Sequence, residues 1–577
     1  MTLNETYEFW LNNPYFDTDT RQELASIAGD EVEITERFYK NLEFGTGGLR
    51  GIIGAGTNRM NIYTVRKATQ GLANYIQKQS VRSKTVAIAY DSRNMSSVFA
   101  EEAALCLNAN QINTCIFPSL RPTPMLSFAI RELGCTAGIV ITASHNPAEY
   151  NGYKVYWTDG AQITAPRDKI LMDEINAVTD FSQVKTMSRE AAEKDNLYHV
   201  ISSEIDDKYT ASLKTLILHP EVLKTEAPKL RIVYTPLHGT GNHPVRRILE
   251  ETGFIQVYVV KEQELPDGNF PTVSSPNPEN PEAFSLALKL AKQVDADLVL
   301  ATDPDADRLG LYAKDYKNGE YKSFSGNMTG AFLLYYIVSQ KKALGTLAAN
   351  SAVVTTIVSG KMAREIAADY NVECMETLTG FKYIGEQIHI FEKTKKYEYL
   401  FGYEESYGCL VGTYVRDKDA IVAAMVLCEA AAWYKYHNIS LPEQMEFLFE
   451  TYGYYKESLT TITREGRDGI SKINRAMDEI RRAAPRHIGG IRVIQFRDYL
   501  NNRILDFMTD QELPANLPAS NVIYFELEDK SWCCIRPSGT EPKIKIYIGV
   551  VGSNHTDASQ RLTSITDILI KMLEGCL

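Results

Sequence analysis

The sequence predicts an α/β fold in which three similar α/β domains, with mixed, mostly parallel sheets, precede a smaller C-terminal α+β domain. Short apolar, β-branched runs recur along most of the chain, and each ends in a loop with Gly, Pro or Asp before helical periodicity begins. Strands that alternate with helices in this way indicate βαβ units and parallel pairing. After about residue 455 the strands and helices are more isolated, which is typical of an α+β domain.

Each region is defined by its strand-like runs and by the helices between them. The first contains VAIAYDSR (86–93), the helix-like FAEEAALCLNAN (99–110) and GIVITASHNP (138–147). The second contains RIVYTPLHGTG (231–241), FIQVYVV (254–260), a helix near 280–294 and DLVLATDPDADR (297–308). The third contains AVVTTIVSG (352–360), the helix KMAREIAADY (361–370), ETLTGFK (376–382), YLFGYEES (399–406) and a long helix at about 419–437.

The fourth region contains GGIRVIQFRD (489–498), NVIYFELED (521–529), SWCCIRPSGTEPKIKIYIGV (531–550) and a final helix at 557–573. We therefore predict domains at 1–203, 204–316, 317–450 and 451–577, which carry in turn a serine loop, an acidic loop, a GYEES loop and an RPSGTEPK loop.

Composition and charge favour an ordinary globular protein of the cytoplasm. Of the 577 residues 44% are apolar and 23% charged, and no run is long and apolar enough to span a bilayer. A net charge of −12 argues against a nucleic-acid or membrane binder, because both need a positive surface. The N-terminus lacks a secretory pattern, and the nine scattered cysteines predict reduced thiols.

The segment Asp303–Arg308, with the sequence DPDADR, is the strongest candidate for a metal site. Carboxylates at alternate positions in one turn repel one another unless a hard divalent cation lies between them. An EF-hand would need Gly at position six and Glu at position twelve, where this chain has Arg308 and Lys314. A solvated acidic loop is disfavoured by the apolar run that precedes the segment.

Ser144, in the loop TASHNP, is a candidate nucleophile that the sequence around it does not establish alone. A turn or helix-capping serine is the simpler interpretation of a serine beside His145. A serine hydrolase would need G-x-S-x-G, which is absent here. The metal loop favours the functional interpretation, because a phosphoserine would add about −1.5 to −2 charge to a metal site.

The loop RPSGTEPK (536–543) is a candidate phosphate cradle. An arginine fork, two hydroxyls, a glycine and a lysine in one short turn suit an anion, although a polar β-turn remains the alternative. The loops TGFK (379–382) and GYEES (402–406) and the Gly-rich GTGGLRG (45–51) would each be ordinary surface turns if they stood alone.

Taken together and in this order, the motifs GTGGLR, TASHNP, DPDADR, TGFK, GYEES and RPSGTEPK resemble the α-D-phosphohexomutase superfamily of phosphoglucomutases and phosphomannomutases. The chain length and the stretches ATQGLANYI and PDGNFPTVSSPNPENPEA resemble its longer, phosphoglucomutase-2-type branch. The resemblance implies four domains around a central cleft, the last of them TATA-binding-protein-like.

The resemblance also implies an activity: interconversion of hexose 1-phosphate and hexose 6-phosphate through a phosphoserine and a bisphosphate, with glucose first and mannose second as the sugar. The implied cofactors are Mg²⁺ and a hexose 1,6-bisphosphate, and the implied partner is a phosphosugar. The alternatives are a phosphopentomutase, a sugar-1,6-bisphosphate synthase, or a non-catalytic sugar-phosphate-binding regulator. The sequence does not indicate the oligomeric state.

The resemblance implies that Ser144 is the phosphoryl carrier and that Ser144, Asp303, Asp305 and Asp307 bind Mg²⁺. It implies that Arg50 and Arg308 lie beside the transferring group and that His145, Lys154 and Lys382 are the acid–base candidates. The implied substrate-binding groups are Thr379, Gly380, Glu404, Ser406, Arg536, Ser538, Gly539, Thr540 and Lys543. One departure is Tyr403, which stands where many members have Gly, and we expect its ring to affect the sugar pocket.

Overall fold

The computed structural model describes residues 2–43, 48–81, 83–464, 469–538 and 543–576. The chain divides into two compact units. The first unit comprises Met1–Ser325, Gly380–Phe401 and Ser406–Asn438, and the second comprises Gly326–Thr379, Gly402–Glu405 and Ile439–Leu577. In the described part of the chain, no helix combines the length and apolarity needed to cross a membrane.

The first unit begins with three helices and a six-stranded mixed sheet. The elements are α1 (Leu3–Asn12), α2 (Thr18–Ser26), α3 (Glu31–Phe38), β1 (Leu49–Ile52), α4 (Ile62–Lys78), β2 (Thr85–Tyr90), α5 (Ser96–Ala109), β3 (Asn113–Ile116), α6 (Thr123–Glu132), β4 (Ala137–Ile141), β5 (Tyr150–Trp157), α7 (Arg167–Ala177), α8 (Arg189–Lys194) and β6 (Tyr198–Val200). The strand order is β1-β5-β4-β2-β3-β6, in which β4, β2, β3 and β6 are parallel. Strands β2 and β4 are almost continuously apolar, as expected for strands buried on both faces.

A second, five-stranded mixed sheet follows in the same unit. Its elements are α9 (Glu204–Lys214), α10 (Pro220–Glu226), β7 (Arg231–Thr235), α11 (Asn242–Glu251), β8 (Gln256–Val259), α12 (Lys261–Glu264), α13 (Ser285–Val294), β9 (Leu298–Thr302), β10 (Leu309–Lys314) and β11 (Tyr321–Phe324). The strand order is β11-β10-β9-β7-β8, with β9, β7 and β8 parallel. An apolar cluster beneath α13 forms its core.

The third region contributes elements to both units. They are α14 (Gly326–Ala343), β12 (Ser351–Thr356), α15 (Met362–Asp369), β13 (Glu373–Thr377), α16 (Phe381–Thr394), β14 (Glu398–Tyr403), β15 (Cys409–Val411), α17 (Ala420–Tyr436) and α18 (Leu441–Tyr452). In the second unit β12 and β13 are parallel. In the first unit the apolar helix α17 starts at the Asp419 cap and packs against α10 and α11.

The C-terminal region of the second unit is an antiparallel sheet with helices. Its elements are β16 (Tyr454–Thr463), α19 (Gly469–Arg482), β17 (His487–Ile488), β18 (Ile491–Asp498), β19 (Arg503–Asp506), β20 (Gln511–Leu513), β21 (Ile523–Leu527), β22 (Trp532–Pro537), β23 (Lys543–Gly552) and α20 (His555–Cys576). The apolar faces of α19 and α20 contribute to one core with this sheet.

The predicted α/β regions and the C-terminal α+β region are confirmed, and the sheets are mixed as expected. Both chemistry-bearing loops lie in antiparallel hairpins, because β5 returns beside β4 and β10 returns beside β9. The parallel βαβ pattern did not predict these returns. The four domain limits remain predictions.

Candidate active site

The serine loop connects β4 to β5, at the carboxyl end of a buried parallel strand. Ser144 is 3% exposed and has a φ of 51°. This left-handed conformation is uncommon for a residue with a Cβ and costs on the order of 1 kcal/mol. The backbone N–H of Ser144 donates to Oγ1 of Thr142 at 2.8 Å. A buried serine in a constrained turn is a feature of a functional loop rather than of a surface turn.

The acidic loop connects β9 to β10 in the same unit. One carboxylate oxygen of each of Asp303, Asp305 and Asp307 lies within 4.8 Å of the others. The exposed fractions of the three residues are 0, 0 and 2%. Oδ1 of Asp303 accepts backbone N–H groups from Asp307 at 3.1 Å and Arg308 at 3.0 Å. These bonds turn the loop back on itself and direct its acidic side chains to a common centre.

The two loops meet. Oγ of Ser144 donates to Oδ2 of Asp303 at 2.6 Å, and it lies 3.2 Å from Nδ1 of His145. The serine hydroxyl therefore donates to a carboxylate and has an imidazole nitrogen beside it. The two loops, from different sheets, form one site within the first unit.

The acidic centre fits a divalent metal ion. Oδ1 of Asp305 and Oδ1 of Asp307 are buried and have no hydrogen-bond partner among the described residues. Burial, together with the charges of the other two aspartates, raises the pKa of Asp303 well above its ordinary value. A hard cation would satisfy the unpaired oxygens and remove the repulsion, and carboxylate oxygens are ligands that Mg²⁺ accepts.

Two lysines reach the acidic centre. Nζ of Lys154, on β5, lies 3.1 Å from Oδ2 of Asp305 and 3.9 Å from Oδ2 of Asp307. Burial would raise the pKa of Asp305. The charge of Lys154, together with the hydrogen bonds that the Asp305 carboxylate makes with Asp303, Lys154 and Thr123, holds that pKa below its usual range. Lys418, which the sequence did not single out, lies 3.2 Å from Oδ2 of Asp307. It follows β15 in a loop that carries no recognised motif.

Three more of the predicted site residues are His145 in the serine loop, Arg308 in the acidic loop and Arg50 on β1. Arg308 donates to the carboxylate of Glu279, and Nη1 of Arg50 donates to Oδ1 of Asn146 at 2.9 Å. Burial and the charges of the two arginines lower the pKa of His145 well below its ordinary value. The imidazole is therefore neutral and has a nitrogen available as an acceptor.

Arg93 is a buried residue that holds the serine loop and that the sequence did not identify. One guanidinium nitrogen donates to the carbonyls of Pro147 at 2.8 Å and Tyr150 at 3.0 Å. The other donates to the carbonyls of Ser144 and Asn146. Its fork therefore fixes the backbone on both sides of the turn. The only signal was its position in a loop that directly follows a buried strand.

Thr123 is a second residue that the sequence missed. At the start of α6, its Oγ1 donates to Oδ2 of Asp305 at 2.9 Å, and its backbone N–H donates to the Asp305 carbonyl at 3.0 Å. The contact connects a helix of the first sheet to the acidic loop of the second. A single threonine after a proline offers no pattern by which it could have been found.

Three further predicted residues lie elsewhere in the first unit. Lys382, near the start of α16, is 7% exposed, and its Nζ lies 3.6 Å from Oδ2 of Asp168. Gly380 has a φ of 121°, which only glycine adopts readily. Ser406, from the GYEES loop, is half-buried. Their predicted roles remain predictions.

The other predicted substrate-binding residues belong to the second unit. Glu404 is buried and Thr379 is half-buried. Arg536 is the last residue but one of β22, and the backbone N–H of Ser538 donates to the Lys543 carbonyl at 2.7 Å. Gly539 and Thr540 lie outside the described residues.

The ring of Tyr403, which we expected from the sequence to affect the sugar pocket, is buried. Tyr403 is 1% exposed, and its ring packs on Gly330, where an added Cβ would lie 2.3 Å from ring carbon Cδ2. Its hydroxyl donates to the Gly360 carbonyl at 3.2 Å. The aromatic residue is therefore part of the packing of the second unit.

Comparisons with known proteins agree with this arrangement. Alpha/beta/alpha domains I, II and III of the phosphoglucomutase/phosphomannomutase family match residues 41–181, 207–318 and 325–452. A phosphoglucomutase of Staphylococcus aureus (strain USA300) is 37% identical over 537 residues, which cover 93% of this chain and 94% of that protein.

Solved structures share the fold. A phosphoglucomutase/phosphomannomutase family protein of Burkholderia thailandensis is similar with a TM-score of 0.65 at 18% identity, over 92% of this chain and 97% of that one. The open form of parafusin, a phosphoglucomutase of Paramecium, has a TM-score of 0.67 at 17% identity, over 93% and 95% of the two chains. This chain belongs to the phosphoglucomutase/phosphomannomutase family of the α-D-phosphohexomutase superfamily.

Proposed function

We propose that the chain interconverts hexose 1-phosphate and hexose 6-phosphate, with glucose as the preferred sugar, through a phosphorylated Ser144. The single observation that carries this proposal is the 2.6 Å hydrogen bond from Ser144 to Asp303, at a buried centre of three carboxylates. A sugar-binding protein without catalysis has no use for a phosphorylatable hydroxyl beside a metal-binding centre. The similarity to phosphoglucomutases along 93% of the chain supports the same reaction.

The proposed ligands of Mg²⁺ are Asp303, Asp305, Asp307 and Ser144, the last through its phosphate. A bound divalent ion supplies charge stabilisation at the transferring phosphoryl group. The unpaired buried oxygens of Asp305 and Asp307 support this assignment. Lys154 and Lys418 contribute positive charge at the other oxygen of each carboxylate, Oδ2 of Asp305 and Oδ2 of Asp307.

In the first half-reaction, the free hydroxyl of the sugar monophosphate attacks the phosphorus of phospho-Ser144. A new O–P bond forms and the Oγ–P bond breaks, while a general base takes the proton of the sugar hydroxyl and a general acid gives a proton to the departing Oγ of Ser144. His145, Lys154 and Lys382 are the proposed acid–base candidates. The product is a hexose 1,6-bisphosphate and an unmodified serine.

In the second half-reaction the bisphosphate turns over and Oγ of Ser144 attacks the other phosphate of the bisphosphate. The Oγ–P bond forms, the sugar O–P bond breaks, and a general acid gives a proton to the departing sugar oxygen. The serine proton leaves for one of the two acceptors beside Oγ, which are Oδ2 of Asp303 at 2.6 Å and Nδ1 of His145 at 3.2 Å. Arg308 and Arg50 are proposed to bind the phosphoryl oxygens in both steps. Arg536, Ser538, Gly539, Thr540 and Lys543 are proposed to hold the phosphate that does not react, and Thr379, Gly380, Glu404 and Ser406 to contact the sugar or its phosphate.

Replacement of the nucleophile tests the proposal. Wild-type protein with Mg²⁺ and glucose 1,6-bisphosphate is expected to convert glucose 1-phosphate to glucose 6-phosphate, and Ser144→Ala is expected to abolish this. Ser188→Ala, at the N-cap of α8, is the matched control and should leave the rate unchanged. A Ser144→Ala protein that keeps most of the wild-type rate would exclude the mechanism.

The sugar preference has its own test. We expect kcat/KM to be highest for glucose 1-phosphate in a comparison with mannose, glucosamine and ribose 1-phosphates. A highest value for ribose 1-phosphate would instead identify a phosphopentomutase.

A further inference from the structure

Residues 265–280 form a long connection between α12 and the short helix Pro281–Phe284, with no helix or strand of its own. We call it the bracing loop. Connections of this length without secondary structure are uncommon in compact domains and are usually functional. The proposed mechanism assigns no role to its residues, yet it contacts the site at several points.

The start of the bracing loop is fixed by a directed chain of hydrogen bonds. Oγ1 of Thr235 donates to Oε1 of Gln263 at 2.6 Å, and Nε2 of Gln263 donates to Oγ1 of Thr272 at 3.0 Å. The Thr272 hydroxyl therefore has its proton for Nε2 of His238, at 3.0 Å. Nδ1 of His238, the remaining protonated nitrogen, donates to the Leu265 carbonyl at 3.1 Å. The chain sets both the histidine tautomer and the position of the loop.

Further along, the bracing loop contacts the serine loop. Oγ of Ser275 donates to the backbone carbonyl of His145 at 2.6 Å. Cζ of Arg93 lies 5.0 Å from the centroid of the Phe270 ring, which packs against the guanidinium. The same guanidinium donates to the carbonyl of Ser144. Arg93 and Ser275 therefore both donate to backbone carbonyls of the serine turn.

The end of the bracing loop contacts the arginine that follows the acidic triplet. Arg308 donates to the Glu279 carboxylate, and the Glu279 backbone N–H donates to Oδ1 of Asn277 at 3.0 Å, which fixes the loop at that residue. Nε of Arg308 lies 3.8 Å from Oδ1 of Asp307. The guanidinium therefore lies between two carboxylates, one in the bracing loop and one in the acidic centre.

We propose that Ser275 and Glu279 are positioning residues: one loop holds the Ser144–His145 turn through Ser275 and, through Glu279, limits how closely the Arg308 guanidinium approaches the acidic centre. This inference rests on the proposed function. Without the Glu279 charge, the guanidinium is drawn to Oδ1 of Asp307, an oxygen that has no hydrogen-bond partner among the described residues. It then competes with a cation for that oxygen and leaves the position where it meets a phosphoryl group.

Glu279→Gln tests the second half of the proposal with two readouts. We expect kcat to fall between about 10- and 100-fold with KM unchanged, because a misplaced charge acts in the transition state. We also expect a severalfold higher Mg²⁺ concentration at the midpoint of the magnesium-dependent rise in Tm. Glu282→Gln is the matched control. Glu282 lies in the short helix that follows the bracing loop, and its carboxylate accepts from the Ser274 hydroxyl at 2.9 Å. This variant should change neither quantity.

A double-mutant cycle separates positioning from general stability. If Glu279 acts through Arg308, then Glu279→Gln causes no further loss of kcat in an Arg308→Lys background. Losses that multiply in the double variant would overturn the proposal. So would a Glu279→Gln protein with wild-type kcat and a wild-type magnesium midpoint.

Ser275→Ala tests the first half, with Ser274→Ala as its control. We expect faster loss of phosphate from Ser144 by hydrolysis, followed by intact mass, because a loosened turn admits water. Equal phosphate lifetimes in the two variants would overturn this half. If the wild-type protein shows no mutase activity and no phosphate on Ser144, the proposed function fails instead, so the two failures are distinguishable.

Discussion

Oγ of Ser144 and Oδ2 of Asp303 are 2.6 Å apart although 159 positions separate the two residues in the chain. Ser144 lies in the hairpin between β4 and β5 of the first sheet, and Asp303 lies in the hairpin between β9 and β10 of the second sheet. Oδ1 of Asp305 and Oδ1 of Asp307, beside that hydrogen bond, are buried and have no hydrogen-bond partner among the described residues. The site is therefore built for a further positive charge.

The first prediction concerns metal binding. Mg²⁺ is expected to raise the Tm of the first unit, because it binds the folded carboxylates and not the unfolded chain. At a free concentration about 100 times Kd the stabilisation is about 2.7 kcal/mol. Asp305→Asn should remove most of this response, measured as the Tm difference between Mg²⁺ and EDTA. Asp180→Asn, at an exposed cap, should retain it in full. An equal response in the two variants would contradict the assignment.

The second prediction concerns Arg93. Arg93→Lys replaces a fork that reaches the carbonyls of Ser144, Asn146, Pro147 and Tyr150 with a single ammonium group. Carbonyls left without donors in a buried turn cost about 1–3 kcal/mol each, so both Tm and kcat should fall. A displacement of the serine by about 1 Å is enough for a loss on the order of 100-fold in kcat.

The control for Arg93→Lys is Arg121→Lys, because Arg121 pairs with Asp206 at 2.8 Å at a partly exposed position. Its kcat should remain close to that of the wild type. If Arg93→Lys kept both the wild-type rate and the wild-type phosphate content on Ser144, the turn would not depend on the guanidinium.

The sequence predicted which residue types form this site better than it predicted their arrangement in space. DPDADR is recognisable because three carboxylates at alternate positions indicate a metal site, whereas TASHNP indicates a nucleophile only in combination with that metal site and the other motifs. Their meeting depends on how two sheets pack, which no local pattern encodes. Arg93, Lys418 and Glu279 were missed for a related reason: each is a single charged residue whose role exists only through a distant partner.

The third prediction is a pH dependence in the second unit. Burial raises the pKa of Glu457, on β16, from 4.5 to about 7. The folded state therefore binds this proton more tightly than the unfolded state does. The associated stability is fully present below about pH 4.5 and is lost as the pH rises through 7. The loss amounts to up to about 3 kcal/mol, at 1.36 kcal/mol per pH unit.

Glu457→Gln should remove this dependence. We expect the variant and the wild type to have similar free energies of unfolding at pH 4.5, and we expect the variant to be more stable at pH 8. The measurements are urea unfolding and hydrogen exchange at residues 454–463. Glu450→Gln, at an exposed position on α18, should follow the wild type at both pH values. A variant no more stable than the wild type at pH 8 would show that the carboxyl ionises without cost.

The fourth prediction concerns Tyr403, whose ring fills the space over Gly330 and whose hydroxyl donates to the Gly360 carbonyl at 3.2 Å. Because the ring is buried in packing, Tyr403→Phe should cost about 1 kcal/mol of stability for the lost hydrogen bond. The ratio of kcat/KM for glucose 1-phosphate to that for mannose 1-phosphate should not change.

Two neighbouring substitutions sharpen this last prediction. Gly330→Ala places a methyl group against the Tyr403 ring and should destabilise the protein by about 1–3 kcal/mol, more than Tyr403→Phe does. Glu404→Gln, at a proposed sugar contact, should instead raise KM while leaving the free energy of unfolding nearly unchanged. A sugar ratio that shifts in Tyr403→Phe but not in Glu404→Gln would mean that the ring and not the carboxylate sets the hexose preference. The buried position of the ring argues against that outcome, since a side chain that is 1% exposed has almost no surface with which to contact a sugar.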